Sequence, residues 1–236
     1  MPRPGFTRDE LKPRYDVSAI REDAWHAYSG DHTTRIIQAE LSTFDHPPNW
    51  LLNAGSGIYA LRLHQWHEVR YDLFTAPIKG GGRSVCGSIE QLPFSDGVFG
   101  AIVCVGEVLA YCDPAATIRE FARVLAPSGV LISDFGSSRS MRRLLSSSFG
   151  RAADLVTDDY NGSPENTWIY NPDYIRALLA TLGFTIQKTL GTHTWSALAR
   201  RVGCSPHLAV SIQRRLEWLR LPAAAADVIT VVAVRG

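Results

Sequence analysis

The chain lacks the features that mark several broad protein classes. It has only four cysteines, Cys86, Cys104, Cys112 and Cys204, in 236 residues. They are scattered and form no CxxC pair, which argues against a disulfide framework and leaves reduced thiols as the expectation. The histidines show no HxxxH or Cys-His spacing on a predicted helix, so no metal is assigned. An excess of one charge is also missing. Lys+Arg 24 against Asp+Glu 23 leaves +1, which announces neither a basic stripe for nucleic acid nor an acidic tail. The longest apolar runs, 101–105 and 228–234, fall well short of the roughly 18 residues that a membrane helix needs. No apolar segment follows the basic residue in Met1-Pro2-Arg3-Pro4, so no secretory signal is read and a cytoplasmic protein is expected.

Hydrophobic residues make up 45% and charged residues 20%, a balance that supports a buried core. The length alone does not separate one domain from two, but no repeat or boundary marks a second unit. The expected organisation is therefore a single domain over 1–236: an N-terminal helical cap (1–48), a core (49–135), a lid or insertion (136–170) and a C-terminal part (171–236). The cap is helical and amphipathic over 16–44, with Asp31 as a candidate N-cap and Ile37, Leu41 and Phe44 at helical spacing before His46-Pro47-Pro48.

After the prolines the period changes. Short apolar runs alternate with helical stretches, the pattern of an α/β, doubly wound, mostly parallel sheet. Strands are predicted at 49–53, 68–72, 84–86, 100–105, 130–134, 184–190 and 227–234, and helices at 58–66, after Asp113-Pro114, after Asn171-Pro172 and after Ser205-Pro206. Ile118, Phe121, Ala122 and Leu125 share one face of the second helix, and Leu208, Ile212, Leu216 and Leu219 form a stripe expected to pack on the core, with a homodimer contact as its other use. Between Phe74 and Arg83 the chain is too short for a helical crossover, so a loop is expected there. The Ser- and Arg-rich 136–170 stretch has weak periodicity.

One segment carries most of the functional information. Leu51-Leu52-Asn53-Ala54-Gly55-Ser56-Gly57 is an apolar strand running into a glycine turn, and in an open α/β sheet such a turn faces the ligand crevice. Gly55-x-Gly57-x-x-Ala60 also satisfies the dinucleotide fingerprint in its Gly/Ala form, with Asp72 available for a ribose, so an NAD(P)-dependent oxidoreductase remains open at this point.

Farther on stand Gly87-Ser88-Ile89-Glu90-Gln91-Leu92-Pro93-Phe94-Ser95-Asp96-Gly97-Val98-Phe99, then Glu107-Val108-Leu109, then Glu120-Phe121-Ala122-Arg123-Val124-Leu125-Ala126-Pro127-Ser128-Gly129. This ordered set resembles the class I S-adenosylmethionine-dependent methyltransferases, in particular their small-molecule branch. The resemblance runs from Leu51 to Asp134 and returns at 221–234, which looks like the family's antiparallel seventh strand. It implies a seven-stranded Rossmann-like methyltransferase fold, S-adenosyl-L-methionine as cofactor and a small organic acceptor as partner. It places Asn53, Ala54, Gly55, Ser56, Gly57, Asp72, Leu73, Ser88, Ile89, Cys104, Val105 and Gly106 at the cofactor. Asp72 would accept from the ribose hydroxyls, Ile89 would contact adenine through its backbone N–H, and Cys104, Val105 and Gly106 would form the floor. Four positions depart from the family pattern: Asn53 stands for an acid, Tyr59 for a glycine, Ser88 for an aspartate and Gly100 for an aspartate. A non-catalytic member of the family is a further alternative.

His193 is the first candidate for a general base because it follows the sixth strand, and Glu107, after the fourth strand, is the second. Trp168, Tyr170 and Trp195 are candidate pocket walls, with core filling as the competing role. Tyr15, His26, Tyr28 and His32 could close over the cofactor from the cap. Arg139, Arg142 and Arg143 could meet an anion, but near Asp154, Asp158 and Asp159 they read first as a solvated face. Membrane association is not expected, and nucleic acid is a minority reading.

Overall fold

The structure, a computed structural model, describes residues 5–12, 24–42, 44, 47–57, 60–74, 83–160, 163–219 and 221–236. In chain order its elements are α1 (Arg8–Leu11), α2 (Ala24–Ser42), β1 (Trp50–Ala54), β2 (His67–Asp72), β3 (Arg83–Cys86), β4 (Phe99–Cys104), α3 (Pro114–Val124), β5 (Leu125–Gly136), β6 (Ala153–Tyr160), β7 (Ser163–Tyr170), α4 (Pro172–Thr181), β8 (Phe184–Thr192), α5 (Trp195–Arg201), α6 (Pro206–Leu216) and β9 (Val228–Arg235). Among the described residues the main sheet has seven strands in the order β3-β2-β1-β4-β5-β9-β8. All neighbouring pairs from β3 to β5 are parallel, and β9 runs antiparallel to both β5 and β8. This is the expected doubly wound sheet with its reversed last strand.

Burial on both faces follows from the near-continuous apolar character of the central strands. Leu52, Ala54, Ile102, Cys104 and Leu131 point into a core shared with Ile118 and Phe121 of α3 and with Ile175 and Leu179 of α4. Leu51, Ala101, Val103 and Ile132 point the other way, against Ile36, Ile37 and Leu41 of α2 and against Trp66. The start of α3 follows its sequence signal: Asp113 accepts from the N–H groups of Ala115 and Ala116, and Pro114 occupies the first turn. Asn171 and Ser205 cap α4 and α6 in the same manner.

Several expectations need correction. Residues 60–66 are irregular rather than helical, although Leu61, Leu63 and Trp66 still cover the sheet. A helix is not the only way to bury such residues. Asp31 lies inside α2 and not at its cap, and Leu125 leaves the α3 face to begin β5. The weakly periodic 136–170 stretch contains an antiparallel hairpin, β6 paired with β7, separate from the main sheet. The stripe on α6 does not pack on the core either. Ala209, Val210 and Gln213 are its buried residues, while Leu208 is 52% exposed. The reason is that α6 lies on α5 and α2 rather than on the sheet. Tyr15, Tyr59 and the whole of the 75–82 crossover fall outside the described residues.

One departure from the family pattern has a packing cause. A Cβ on Gly100 would run into the Pro48 carbonyl and the Trp66 ring, so no aspartate fits there. Ser88 turns its hydroxyl to the backbone N–H of Glu90 at 3.2 Å, an internal turn bond.

The motif residues Glu120 and Arg123 also have a physical role. Arg123 donates to the carbonyls of Leu92 and Phe94 and to Asp96 and Glu120, and Glu120 accepts from the Leu92 N–H at 2.7 Å. The pairing holds the Glu120 carboxyl below its ordinary pKa. Helix α3 thereby clamps the 92–97 loop, whose neighbour is the 87–90 turn beside β3. Arg123→Ala should lower stability by about 2 kcal/mol, the scale of hydrogen bonds to a charged group, and Arg123→Lys should recover little because an ammonium lacks the planar fork. Urea unfolding of the three proteins checks this.

Candidate functional site

The strand order reverses between β1 and β4, and in open α/β sheets ligands bind at the carboxyl ends of the strands flanking such a switch point. A cavity of about 180 Å³ lies there, lined by Gly55 after β1, Asp72 and Leu73 at the end of β2, the 87–90 turn after β3, and Val108, Tyr111 and Cys112 after β4. Its remaining wall comes from the N-terminus: Phe6, Arg8 and Leu11. The Phe6 N–H donates to the Tyr111 carbonyl at 3.0 Å, Arg8 lies over the Phe74 ring, and a capping box between Thr7 and Glu10 fixes the short α1. Nothing in the sequence pattern marked this segment as a wall, because its position is a tertiary contact.

Asp72 is 3% exposed. Its two oxygens accept from the backbone N–H groups of Gly57 (2.8 Å) and Phe74 (3.0 Å). Burial raises its pKa, and these N–H bonds oppose the rise. The carboxylate thus ties the glycine turn to the end of β2 while keeping lone-pair capacity for further donors. Gly55 has a left-handed φ of 72° and packs so closely under Val108 that a Cβ would lie 2.5 Å from a valine methyl. Glycine is required there on both counts.

The structure distributes the remaining predicted cofactor residues unevenly. Gly55, Asp72, Leu73, Ser88 and Ile89 line the cavity; Asn53, Ala54, Ser56, Gly57, Cys104, Val105 and Gly106 are not in its lining. Ala54 and Cys104 point into the core below, and burial lifts the Cys104 thiol well above its ordinary range. Asn53 donates its amide to Glu68 at 2.8 Å, and Glu68 also accepts from the Leu61 N–H. The Asn53 amide thus pairs with an acid on β2, a contact that no linear motif reveals. The adenosyl part of the resembled cofactor fits this donor set: a buried carboxylate for vicinal hydroxyls, an apolar Leu73–Ile89 pair for a ring, and a glycine bend that admits backbone.

The two candidate proton-handling residues occupy different surroundings. His193 is fully buried, with Nε2 2.6 Å from the Ser29 hydroxyl and Nδ1 2.9 Å from that of Ser196. It stacks on Trp25 with centroids 3.6 Å apart, which makes it the joint between α2 and α5. Glu107 follows β4 at a left-handed φ of 58°, a conformation that costs a non-glycine residue free energy and often marks functional sites. Asp134, at the end of β5, accepts from the N–H groups of Gly106 (3.0 Å) and Glu107 (2.7 Å) and so imposes that bend. The Glu107 carboxyl turns toward Gly136. Burial, and then the charges of Asp134 and Asp227, push it up to about 8; burial pushes Asp134 to about 6.

Trp168 and Tyr170 are core residues, the Tyr170 hydroxyl donating to the Leu109 carbonyl at 3.0 Å. Trp195 donates to the Leu219 carbonyl. In α2, Tyr28 donates to Glu217 and stacks with His32, so these cap aromatics face α6 and not the cavity. Arg142 and Arg143 are not a solvated face. Both pair with Asp158, and Arg142 also reaches Asp227. Among the described residues there is no group of His, Cys, Asp and Glu that could hold a metal ion, and no helix is long and apolar enough to cross a membrane.

The family model described as "Methyltransferase domain" matches residues 52–133. No curated protein matches the chain. Among solved structures, the 4+2 cyclase SpnF is 16% identical with a TM-score of 0.63, covering 98% of each chain. Geranyl diphosphate C-methyltransferase from Streptomyces coelicolor A3(2), in complex with Mg2+, geranyl diphosphate and S-adenosyl-L-homocysteine, is 13% identical with a TM-score of 0.63, covering 97% of this chain and 98% of that one. The 1,6-didemethyltoxoflavin-N1-methyltransferase of Burkholderia thailandensis is 13% identical with a TM-score of 0.58, covering 97% and 86%. Identities this low establish the fold alone. The methyltransferase-domain model thus falls on the segment from β1 to β5, within a sheet whose β9 is reversed as in the family that the sequence resembles.

Proposed function

We propose that the protein transfers the methyl group of S-adenosylmethionine to a small organic acceptor. The observation that carries this reading is the cavity at the β1/β4 switch point, where the Asp72 carboxylate and the Gly55 bend stand together. The antiparallel β9 between β5 and β8 supports it over a dinucleotide-dependent oxidoreductase, whose doubly wound sheet continues in parallel on both sides of the switch point. When bound, the cofactor supplies an electrophilic methyl carbon on a sulfonium.

The chain's own residues then bind, orient and deprotonate. Asp72 accepts from the ribose hydroxyls, and Leu73 and Ile89 flank the base. Phe6 and Leu11 keep water from the adenosyl side. Fixing two reactants in line supplies on the order of 7–11 kcal/mol of the barrier, so no covalent intermediate on the protein is needed. For a hydroxyl or acidic carbon nucleophile, Glu107 is the proton acceptor favoured here over His193. Its carboxyl makes no hydrogen bond among the described residues and has a raised pKa, while both His193 ring nitrogens face hydroxyls. His193 instead positions α2 against α5.

Calorimetry should show binding of S-adenosylhomocysteine and silence with NADH; NADH binding with no response to S-adenosylhomocysteine overturns the assignment. Asp72→Ala should weaken cofactor binding by about 1.5–3 kcal/mol, with Asp72→Asn intermediate because one carbonyl acceptor remains. With an accepted substrate in hand, kcat/KM should rise with pH and level off above about 8 as Glu107 ionises, and Glu107→Gln should remove that rise and lower the rate about 10²–10⁴-fold. The same ionisation affects folding with a definite sign. The folded pKa lies above the ordinary carboxylate value, so the associated stability is complete below about 4.5 and lost as pH rises through about 8. Urea midpoints at pH 5 and pH 9 should therefore differ less in Glu107→Gln than in the parent.

A further inference from the structure

A second cavity, of about 400 Å³, opens between the β6–β7 hairpin and the segment that follows β5. Its polar lining is Arg142, Arg143, Ser146, Ser148, Thr157 and Asp158. The Arg143 side chain is only 10% exposed. Its Nη2 pairs with Asp158 Oδ2, and its Nε is buried without a hydrogen-bond partner. The same Oδ2 already receives Arg142 Nη2 at 2.9 Å, while Arg142 Nε reaches Asp227 at 3.2 Å.

One carboxylate oxygen thus serves two guanidinium groups, and the second acid, Asp227, is held by Arg142 alone of the two. The Nε–Nη2 edge of a guanidinium is a planar fork matched to the two oxygens of a carboxylate or phosphate. In Arg143 only the Nη2 half of that fork is engaged, and a buried donor left unmade costs free energy that a ligand oxygen would recover. The hydroxyls of Ser146 and Ser148 stand in the same lining. The surroundings are apolar: Leu155 lines the cavity at 45% exposure, and Leu144, Leu145 and Phe149 are exposed at 46%, 89% and 42% on the same segment.

We propose that this cavity binds the carboxylate or phosphate group of an organic molecule with an apolar body, read by the unpartnered Nε of Arg143 with Ser146 and Ser148 as additional donors. Resting on the methyl-transfer reading, this group anchors the acceptor. Arg142 links the cavity to Asp227, whose charge acts on Glu107.

The test titrates the full chain at constant ionic strength with benzoate, inorganic phosphate and the neutral isostere benzamide, followed by calorimetry, and titrates each variant with S-adenosylhomocysteine in parallel. Benzoate or phosphate should bind at least about ten-fold more tightly than benzamide. Arg143→Ala should lose about ten-fold or more of that affinity, the loss of a charge-assisted hydrogen bond. Binding of benzoate alone assigns a carboxylate and of phosphate alone a phosphate; either supports the site. Because Arg143 also pairs with Asp158, the double variant Ser146→Ala/Ser148→Ala serves as a second probe that leaves that pair intact, with an expected loss of about three-fold or more. No oxyanion binding to the parent, equal binding of benzamide, or affinity unchanged in the variants overturns the proposal. S-adenosylhomocysteine binding without an oxyanion response sinks this site alone; an oxyanion response without S-adenosylhomocysteine binding sinks the methyl-transfer reading and leaves the anion site standing.

Discussion

At the carboxyl edge of the sheet, buried acids hold the backbone of the loops that follow the strands. Asp72 accepts from Gly57 and Phe74, and Asp134 from Gly106 and Glu107; away from that edge, the half-buried Glu68 and Glu120 accept from Leu61 and Leu92 in the same way. Loop N–H groups near a crevice cannot join a ladder, and leaving them unpaired under protein would cost about as much as a lost hydrogen bond. A carboxylate answers two of them at once and brings a fixed negative charge with it. The geometry of the crevice depends on this arrangement more than on any apolar contact.

The same acids set the electrostatics of the region. Asp134 bends the chain at Glu107 into a left-handed conformation and then, by its charge and with Asp227, opposes ionisation of the Glu107 carboxyl. Position and proton affinity therefore share one cause. His193 has a left-handed φ of 62° as well, but its environment of two hydroxyls and a stacked indole engages both nitrogens and one ring face. Two left-handed residues thus differ in what their side chains meet: hydroxyls and an indole at His193, the charges of other acids at Glu107.

The half of the sheet that carries the glycine turn is covered in an unusual way. No regular helix spans the described residues 60–66, and Trp66 with Leu61 and Leu63 closes that face together with α2. The Gly100 position follows from this cover, since the Pro48 carbonyl and the Trp66 ring occupy the space of a side chain. Beside the end of β5 and the segment after β4 the chain adds the β6–β7 hairpin, joined there by Tyr111–Glu165 and by the arginine pair on Asp158. The region near the β1/β4 switch point thus has a sparse side and a heavily latched side.

Much of this was legible in the linear pattern, because alternation and helix signals report local physics. The strands, the Asp113-Pro114 and Asn171-Pro172 helix starts and the reversed last strand follow from apolar period and capping chemistry. Asp72 and the Gly55 turn could be read too, since a strand-to-glycine-turn junction constrains its own backbone. What the pattern could not carry were choices between partners distant in sequence. The leucines of α6 have helical spacing, but the surface that α6 meets decides that Ala209 and Val210 are buried. Glu68 meets the Asn53 amide only because β1 and β2 pair in parallel register. Arg143 reads as a surface charge until the hairpin folds over it. The sequence by itself determined which segments become strands and helices and where the glycine bend must lie, since these depend on neighbours a few residues away. The tertiary structure alone decided which acid, arginine or histidine is buried and what it touches, because desolvation and pairing depend on groups distant in the chain, 164 residues in the Ser29–His193 contact.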